Sequence, residues 1–203
     1  MFYQTDRPHG LRHNPFKSLV VPRPIGWVST MSRAGTVNLA PFSFFNAVAD
    51  TPPVVIVCCN GSHKEGGAKD TLANIAETGE FVVNIATWEL REQMNRTSAN
   101  VPRSVDEMQL AGLEPAPSRL VRPPRVAASP ANLECVHLQT VELPSTDPAN
   151  ANRTIFGRVV GVHISEAIIA DGMIDMTRFL PIARLGYNDY TVVREVFTMR
   201  RPD

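Results

Sequence analysis

Cysteine is scarce in this chain of 203 residues, and its few copies form no motif. There are three, Cys58, Cys59 and Cys135, and no Cys-x-x-Cys pair occurs. An odd number of cysteines in a chain without a secretory signal is typical of reduced thiols, which argues against a disulfide-stapled scaffold. The five histidines are scattered with no metal-ligand spacing among them, so we expect no metal site.

Net charge and long apolar runs are also missing. Lys+Arg and Asp+Glu both number 20, so the formal net charge is zero, which argues against a broad basic surface for nucleic acid. No apolar run reaches the length of a membrane span. The N-terminal residues carry charges where a secretory signal has its apolar core. We therefore expect a cytoplasmic protein with no nucleic-acid and no membrane partner.

The motifs of several enzyme classes are absent as well. Neither the Gly-x-x-x-x-Gly-Lys-Ser/Thr phosphate loop nor the Gly-x-Gly-x-x-Gly fingerprint occurs. No Ser/His/Asp or Cys/His spacing supports a nucleophile. The carboxylate pair Asp106-Glu107 stands at a predicted helix start, where capping explains it. We assign no side chain as a catalytic residue.

The chain does contain enough apolar residues for one sizeable core. Its hydrophobic fraction is 43%, and its length suits a single domain over residues 1–203. Runs rich in β-branched residues predict strands at 25–30, 37–40, 54–59, 81–85, 133–143 and 154–164. The run at 54–59 is apolar enough to be buried on both faces. Closing such strands into a barrel removes unpaired edges, so we expect a mainly β fold.

Helices and connections are predicted from capping and turn residues. Short helices are expected at 71–78, with Asp70 as cap and Gly79 as stop, at 88–95, and from a capping box at 104–107. A polar connection is expected at 144–153. Residues 114–131 hold five prolines and are predicted to form an extended surface segment. A linker is disfavoured because too few residues follow it for a second domain.

Three segments of the sequence contain residues that could bind a ligand, and two of them lie on or next to the first predicted hairpin. Ser29 and Thr30 end a predicted strand, where their hydroxyls can bond a ligand's oxygens, although opening a turn explains them equally simply. In residues 38–46, a predicted strand break at Pro41 leaves backbone groups without ladder partners beside three phenylalanines. A flat aromatic ligand would satisfy these groups. A hydrophobic corner of the core is the other interpretation.

The third segment is the glycine-rich approach to the helix at 71–78. Gly66-Gly67-Ala68-Lys69-Asp70-Thr71 joins a cation, a hydroxyl and a helix start. Free N–H groups and the helix dipole at such a start attract anions, which makes this a sound design for binding phosphate. An ordinary solvated lysine beside a capping aspartate is the alternative, and the spacing alone does not decide between them.

Taken in order, these segments resemble the flavin reductase-like, FMN-binding split-barrel family, which includes the flavoredoxins. The resemblance runs through Pro-Arg-Pro-Ile-Gly-Trp-Val-Ser-Thr, Asn-Leu-Ala-Pro-Phe-Ser-Phe-Phe-Asn, Asp-Thr-Pro-Pro and Lys-Asp-Thr-Leu-Ala-Asn-Ile. It continues through Leu-Glu-Cys, Gly-Arg-Val-Val-Gly-Val-His and Pro-Ile-Ala-Arg-Leu-Gly near the C-terminus. Each motif is moderately specific, but the ordered set spans almost the whole chain.

The resemblance implies a six-stranded Greek-key split barrel with flanking helices and a homodimer whose FMN lies near the subunit interface. By position, it implies that the FMN tail contacts Ser29 and Thr30, and that the ring is lined, largely through backbone, by Asn38, Leu39, Ala40 and Ser43. It also implies that the phosphate is held by Lys69 and Thr71, and that the residues near the ring or the interface are Cys59, Arg184, Gly186 and Tyr190.

The sequence departs from the family at one position. Family members often place an arginine in the loop before Lys-Asp-Thr, whereas this chain has Gly61-Ser62-His63-Lys64-Glu65. We expect His63 or Lys64 to replace that arginine, although neither offers its bidentate fork.

The activity implied by the resemblance is an NAD(P)H-dependent flavin reductase. NADH or NADPH would give a hydride to the flavin, and electrons would pass to free flavin, oxygen or a partner protein. The flavin supplies the chemistry and the protein positions it, with backbone N–H groups at 38–43 stabilising negative charge on the reduced ring. A flavoredoxin-type electron carrier and a flavin-binding module without turnover are the alternatives.

Overall fold

The computed structural model describes residues 1–147 and 150–202 and is built mainly from strands. The strands are β1 (Arg23–Pro24), β2 (Gly26–Met31), β3 (Val37–Phe42), β4 (Phe45–Asp50), β5 (Pro53–Asn60), β6 (Glu80–Ile85), β7 (Pro115–Ala116), β8 (Arg125–Val126), β9 (Ala131–Leu143), β10 (Asn152–Ile164), β11 (Ile169–Ala170), β12 (Met173–Ile174), β13 (Ile182–Arg184) and β14 (Tyr190–Val192). The helices are α1 (Phe16–Leu19), α2 (Asp70–Thr78), α3 (Arg91–Arg96), α4 (Glu107–Leu110) and α5 (Met176–Phe179), with a 3₁₀ turn at Glu166–Ile168. The predicted connection at 144–153 includes residues 148 and 149, which lie outside the described residues.

Seven antiparallel strands form the main sheet in the order β3-β2-β6-β9-β10-β5-β4. The two end strands, β3 and β4, are consecutive in the chain and separated by Ser43 and Phe44 alone. The sheet therefore closes on itself, and the Cys58 N–H donates to the Phe44 carbonyl at 2.9 Å near this junction. Counted as one bent strand, β3 and β4 make the six-stranded barrel that the resemblance implies.

The first hairpin forms as predicted, but its second strand runs further. β2 and β3 pair through a turn that contains Gly35 at a φ of +89°. The predicted break at Pro41 is wrong, because β3 continues to Phe42 and bends at Ser43. The Leu39 N–H points away from β2 toward Glu107, and Pro41, two residues on, shares that orientation. The proline therefore removes no ladder hydrogen bond.

Three local predictions need correction. The 54–59 run is a strand, but it is fully buried on one face only, because its residues alternate between buried and half-buried. The capping box is wrong: the Asp106 carboxylate accepts the Met108 and Gln109 N–H groups and is the N-cap of α4. Asp70 does not cap α2 but is its first helical residue after Lys69, whereas Gly79 ends the helix in the left-handed conformation, as predicted.

Two apolar clusters form the core, one on each side of the barrel wall. The first includes Val28, Phe81 and Ile155 and packs against α2. The second lies beneath α3 and α4 and includes Trp27 and Met108. Neighbouring residues of β2 serve different clusters because successive side chains in a strand point to opposite faces. No helix among the described residues has the length and apolar character needed to cross a membrane.

A fully buried carboxylate fixes the proline-rich segment to the barrel. Glu134 on β9 accepts the N–H groups of Arg119, Leu120 and Val121 at 2.8, 2.6 and 3.2 Å and lies 2.5 Å from the His163 ring nitrogen. Burial opposes ionisation of Glu134, but these N–H groups and His163 outweigh it and hold its pKa below the usual range. The segment at 114–131 therefore lies against the barrel.

Replacing Glu134 with alanine should destabilise the protein strongly. Glu134→Ala leaves the buried N–H of Val121 and the partly buried N–H groups of Arg119 and Leu120 without their acceptor, which should lower the free energy of unfolding by about 3 kcal/mol. Glu142→Ala is the control, because its carboxylate lies on the exposed end of the same strand beside Arg153 and should cost less than about 1 kcal/mol. Urea denaturation of both variants measures the difference, and equal effects would contradict the anchoring role.

Candidate functional site

A cavity of about 130 Å³ opens beside β3. Its walls come from β3, the loop after β5, the start of α2, the segment after α3, and α4. Its polar lining residues are Asn38, Ser62, His63, Lys69, Asp70, Thr71, Thr97, Ser98, Asn100 and Glu107. Segments far apart in sequence thus bring amides, hydroxyls and charges to one opening. Four of the residues predicted for the flavin site line it, namely Asn38, Ala40, Lys69 and Thr71.

A buried network of amides and hydroxyls forms one wall of this cavity. The Asn38 side-chain amide donates to the Thr30 hydroxyl at 3.2 Å and to the Thr71 hydroxyl at 2.9 Å. Asn74 donates to the same Thr30 oxygen at 3.0 Å. The network joins β2, β3 and α2, so Thr30 positions Asn38 from behind the cavity. A hydroxyl that accepts a bond still has its proton to donate, so Thr71 retains a donor for a ligand.

The start of α2 supplies unpaired donors and a cation to the same opening. Lys69 is the N-cap residue and gives no side-chain cap, and the first intrahelical bond runs from the Ala73 N–H to the Lys69 carbonyl. The N–H groups of the first turn are therefore available to an anion. Within residues 1–147 and 150–202 the Lys69 ammonium forms no ion pair.

The guanidinium of Arg103 lies beside the glycine-rich loop and the start of α2. It bonds to the Asp70 carboxylate and donates to the carbonyls of Gly66 and Ala68, each at 2.8 Å. The His63 ring nitrogen lies 3.5 Å from the other Asp70 oxygen. The negative charge of Asp70 at the helix start is therefore offset, and the glycine-rich loop is held in place. Lys64 donates instead to the Asn100 carbonyl on the exposed side.

Glu107 was missed as a site residue because its position was explained by capping. Its buried carboxylate lines the cavity, and Oε2 accepts the Leu39 N–H at 3.0 Å. Burial raises the pKa of Glu107 to about 7, and the charges of Asp70 and Asp106 add to that effect although the Leu39 N–H opposes it. The cavity therefore contains a carboxyl group that exchanges its proton near neutral pH.

The outward side of β3 offers few backbone groups to a ligand. Glu107 already occupies the Leu39 N–H, and Pro41, with the same outward orientation, has no N–H. The expectation that backbone N–H groups throughout 38–43 stabilise the reduced flavin ring is therefore too broad. Leu39 has no exposed surface, whereas Pro41 is half-buried, so the outward carbonyl of Pro41 is the more accessible acceptor of the two.

Ser29, Leu39 and Cys59 do not reach the cavity with their side chains. The Ser29 hydroxyl lies on the opposite face of β2 from Thr30, where it bonds to the Pro124 carbonyl at 2.5 Å and to Asn84 at 3.3 Å. The Leu39 side chain packs in the second core cluster. Cys59 is buried inside the barrel. Burial raises its pKa to about 12 although Lys69 opposes the shift, so its thiol is unreactive.

The remaining predicted residues are placed away from the cavity lining. Ser43 is half-buried in the bend between β3 and β4. Arg184 and Tyr190 lie in a groove beside β14. The Arg184 guanidinium donates to the Tyr190 hydroxyl, and its carbon lies 4.5 Å from the centroid of the Tyr190 ring. Gly186 packs directly against Ser18 and leaves no room for a Cβ atom. In the described part of the chain, no group of His, Cys, Asp or Glu side chains is arranged to hold a metal.

Removing the charge of Glu107 should stabilise the protein at high pH. Because the folded state holds this proton more tightly than the unfolded state, wild-type stability should fall as pH rises from about 4.5 to about 7. Glu107→Gln keeps an oxygen for Leu39 and should be more stable than wild type at pH 8 by up to about 3 kcal/mol. This advantage should shrink toward pH 4.5.

Thermal and urea unfolding between pH 4.5 and 8 measure this difference. The exposed Glu89, changed to Gln, is the control and should follow the wild-type curve at every pH. An advantage of Glu107→Gln that does not vary with pH would contradict the ionisation of this buried carboxyl group.

Comparison with known proteins identifies the family. Residues 18–181 match the model of the flavin reductase like domain. A protein of Aquifex aeolicus is 38% identical over 173 residues, covering 85% of each chain. The crystal structure of nitrilotriacetate monooxygenase component B from Bacillus cereus superposes with a TM-score of 0.85 at 32% identity, covering 98% of this chain and 100% of that one.

A third comparison concerns the fold alone. A flavin reductase with a split barrel domain from Shewanella frigidimarina has a TM-score of 0.79 at 22% identity, over 92% of this chain and 90% of that one. The same barrel therefore recurs at low sequence identity. With the family model covering most of its length, this chain belongs to the flavin reductase-like split-barrel family.

Proposed function

We propose that the protein binds FMN in the cavity beside β3 and acts as an NAD(P)H-dependent flavin reductase. The observation that carries this proposal is the start of α2. Here a lysine that forms no ion pair with a described residue meets the Thr71 hydroxyl and first-turn N–H groups that have no partner among those residues. Such a set is suited to a phosphate group. In a flavin reductase-like protein, the flavin whose tail ends in a single phosphate is FMN.

The residues present fit both ends of this cofactor. Lys69, Thr71 and the first turn of α2 would hold the phosphate, and Asn38 would contact the polar tail. A cavity of about 130 Å³ is too small for a whole flavin, so the ring would lie outside it along β3. The outward carbonyl of Pro41, which is half-buried, would accept the hydrogen bond from the single imide N–H of the ring.

When bound, FMN supplies the redox chemistry, accepting a hydride from the nicotinamide and releasing electrons to free flavin, oxygen or a partner protein. The chain's own residues bind and orient it. The amide of Asn38 is held by Thr30, so it cannot rotate freely. Glu107 keeps a proton near neutral pH at the cavity wall, which lowers the negative charge facing a phosphorylated ligand.

A cytoplasmic homodimer is part of the proposal. Strands β4, β9 and β10 leave large apolar side chains exposed, namely Val48, Leu138, Val141, Leu143, Val162 and Ile164. Apolar surface of this kind is typical of protein interfaces, and two-fold dimers are the commonest oligomers. Light scattering of the flavin-bound protein should give the mass of two chains, and a monomer at micromolar concentration would contradict this part of the proposal.

Anaerobic titration of the FMN-bound protein tests the reductase activity. NADH or NADPH should bleach the visible flavin absorbance rapidly. Bound flavin that neither nucleotide bleaches would indicate a flavoredoxin-type electron carrier instead. A protein that remains colourless after incubation with FMN would contradict both functions.

Lys69→Ala should weaken FMN binding selectively. A charge-assisted bond to phosphate is worth roughly 1.5–3 kcal/mol, so the dissociation constant of FMN should rise about ten- to a hundredfold. Riboflavin lacks the phosphate, and its affinity should barely change. Fluorescence titration with both ligands measures the contrast.

Lys64→Ala is the matched control, because Lys64 bonds to the Asn100 carbonyl on the exposed side. It should bind FMN like the wild type. If Lys69→Ala retains wild-type FMN affinity at low salt, or if Lys64→Ala suffers the larger loss, the phosphate does not lie at the start of α2.

A further inference from the structure

A second and larger cavity, of about 590 Å³, lies between α3 and the β13–β14 hairpin. We call it the arginine groove. Its apolar floor contains Met94 and Ile182, both almost fully buried, and its sides include Trp88, Arg184 and Tyr190. This volume is typical of sites for organic ligands, and it is not the cavity assigned above to FMN.

Three guanidinium groups lie over the two aromatic rings of the groove. Arg91 and Arg184 line the groove itself, and Arg194 reaches the Trp88 ring from the segment after β14. The guanidinium carbons of Arg91 and Arg194 lie 4.0 and 4.9 Å from the Trp88 ring centroid, and that of Arg184 lies 4.5 Å from the Tyr190 centroid. Contacts of this kind restrict the guanidinium groups before a ligand arrives, which reduces the entropy lost on binding. Because the rings are covered by guanidiniums, the groove is suited to an anion more than to a stacked base.

The positive charge in the groove exceeds the negative charge that faces it. Glu92 lies 3.5 Å from Arg91 and is largely exposed, whereas Arg184 and Arg194 form no ion pair with any described residue. Arg184 also stands opposite Arg23 in the β1–β13 pair. Burial lowers the pKa of Arg23, and the charge of Arg184 lowers it further.

The groove and the proposed FMN cavity share one stretch of chain. Asn95 lines the groove and Thr97 lines the cavity. Two residues span no more than about 7 Å, so the linings of the groove and the cavity approach each other within that distance at this point. A single ligand with a phosphate at one end would reach from one site toward the other.

We propose that the arginine groove binds the adenosine phosphate end of the reduced nicotinamide dinucleotide and favours the form that carries a 2′-phosphate. Planar guanidinium forks bind phosphate oxygens in pairs, and an arginine is the usual partner of a 2′-phosphate. The inference rests on the proposed reductase function, since it names the nucleotide that would deliver the hydride.

Calorimetric titration of the FMN-bound protein with 2′,5′-ADP tests the groove without any hydride transfer. We expect 2′,5′-ADP to bind at least tenfold more tightly than 5′-AMP, because it carries one more phosphate. Arg194→Gln should weaken 2′,5′-ADP about tenfold. Arg194 is exposed, so this variant should fold. Arg96→Gln changes an exposed arginine at the end of α3 that is not one of the three whose guanidinium lies over Trp88 or Tyr190, and it should bind like the wild type.

The outcomes separate this inference from the proposed function. Equal affinity for the two nucleotides, or no loss in Arg194→Gln, would overturn the groove assignment. If NADPH still bleaches the flavin with an unchanged KM in Arg194→Gln, the reductase function stands and the groove is wrong. If 2′,5′-ADP binds as expected but neither NADH nor NADPH bleaches the flavin, the groove stands as a nucleotide phosphate site and the reductase function fails.

Discussion

The backbone N–H of Leu39 points away from the barrel sheet, and the buried carboxyl group of Glu107 accepts it. β3 is an end strand of the sheet, so its outward polar groups have no neighbouring strand and must find other partners. Glu107 satisfies one of them, and Pro41 removes another. The same contact fixes α4 against β3 and places a carboxyl group on the cavity wall. The outward carbonyl of the half-buried Pro41 remains available to a ligand, and the proposed flavin site depends on it.

The charges around the start of α2 make the other half of the site. Asp70 would repel a phosphate, but Arg103 and His63 both approach its carboxylate. Lys69 is left without an ion pair among the described residues, beside the N–H groups of the first turn. The Asn38, Thr30 and Thr71 network then holds β3 and α2 at a fixed separation. A rigid, cationic helix start beside an acceptor edge suits a ligand with a phosphate at one end and an imide at the other.

Local patterns in the sequence predicted the barrel strands well. The hairpin of β2 and β3 and the stop of α2 at Gly79 follow from β-branched runs and turn residues within a few positions of each other. Arg103 and Glu107 were missed because their contacts, with Asp70 and Leu39, join residues 33 and 68 positions apart. No short-range spacing encodes such pairs. Ser29 and Thr30 were both assigned to the flavin site, although neighbouring residues of a strand point to opposite faces of the sheet. The alternation alone does not show which of the two faces the site.

Some residues implied by the family resemblance serve a different part of the molecule. Arg184 and Tyr190 lie in the arginine groove with Trp88, and Gly186 allows the close approach of Ser18. The resemblance placed these residues near a flavin or an interface, a prediction that stays open. Their surroundings show a cationic groove next to the proposed FMN cavity, which neither composition nor periodicity indicates, because the three arginines come from three separate segments.

A crystal structure of the protein soaked with FMN tests the central claim most directly. We predict the phosphate within hydrogen-bond distance of the Lys69 ammonium and the first-turn N–H groups of α2, with the ring along β3 and its imide N–H at the outward carbonyl of Pro41. A flavin whose phosphate lies in the arginine groove, or whose ring lies away from β3, would contradict it.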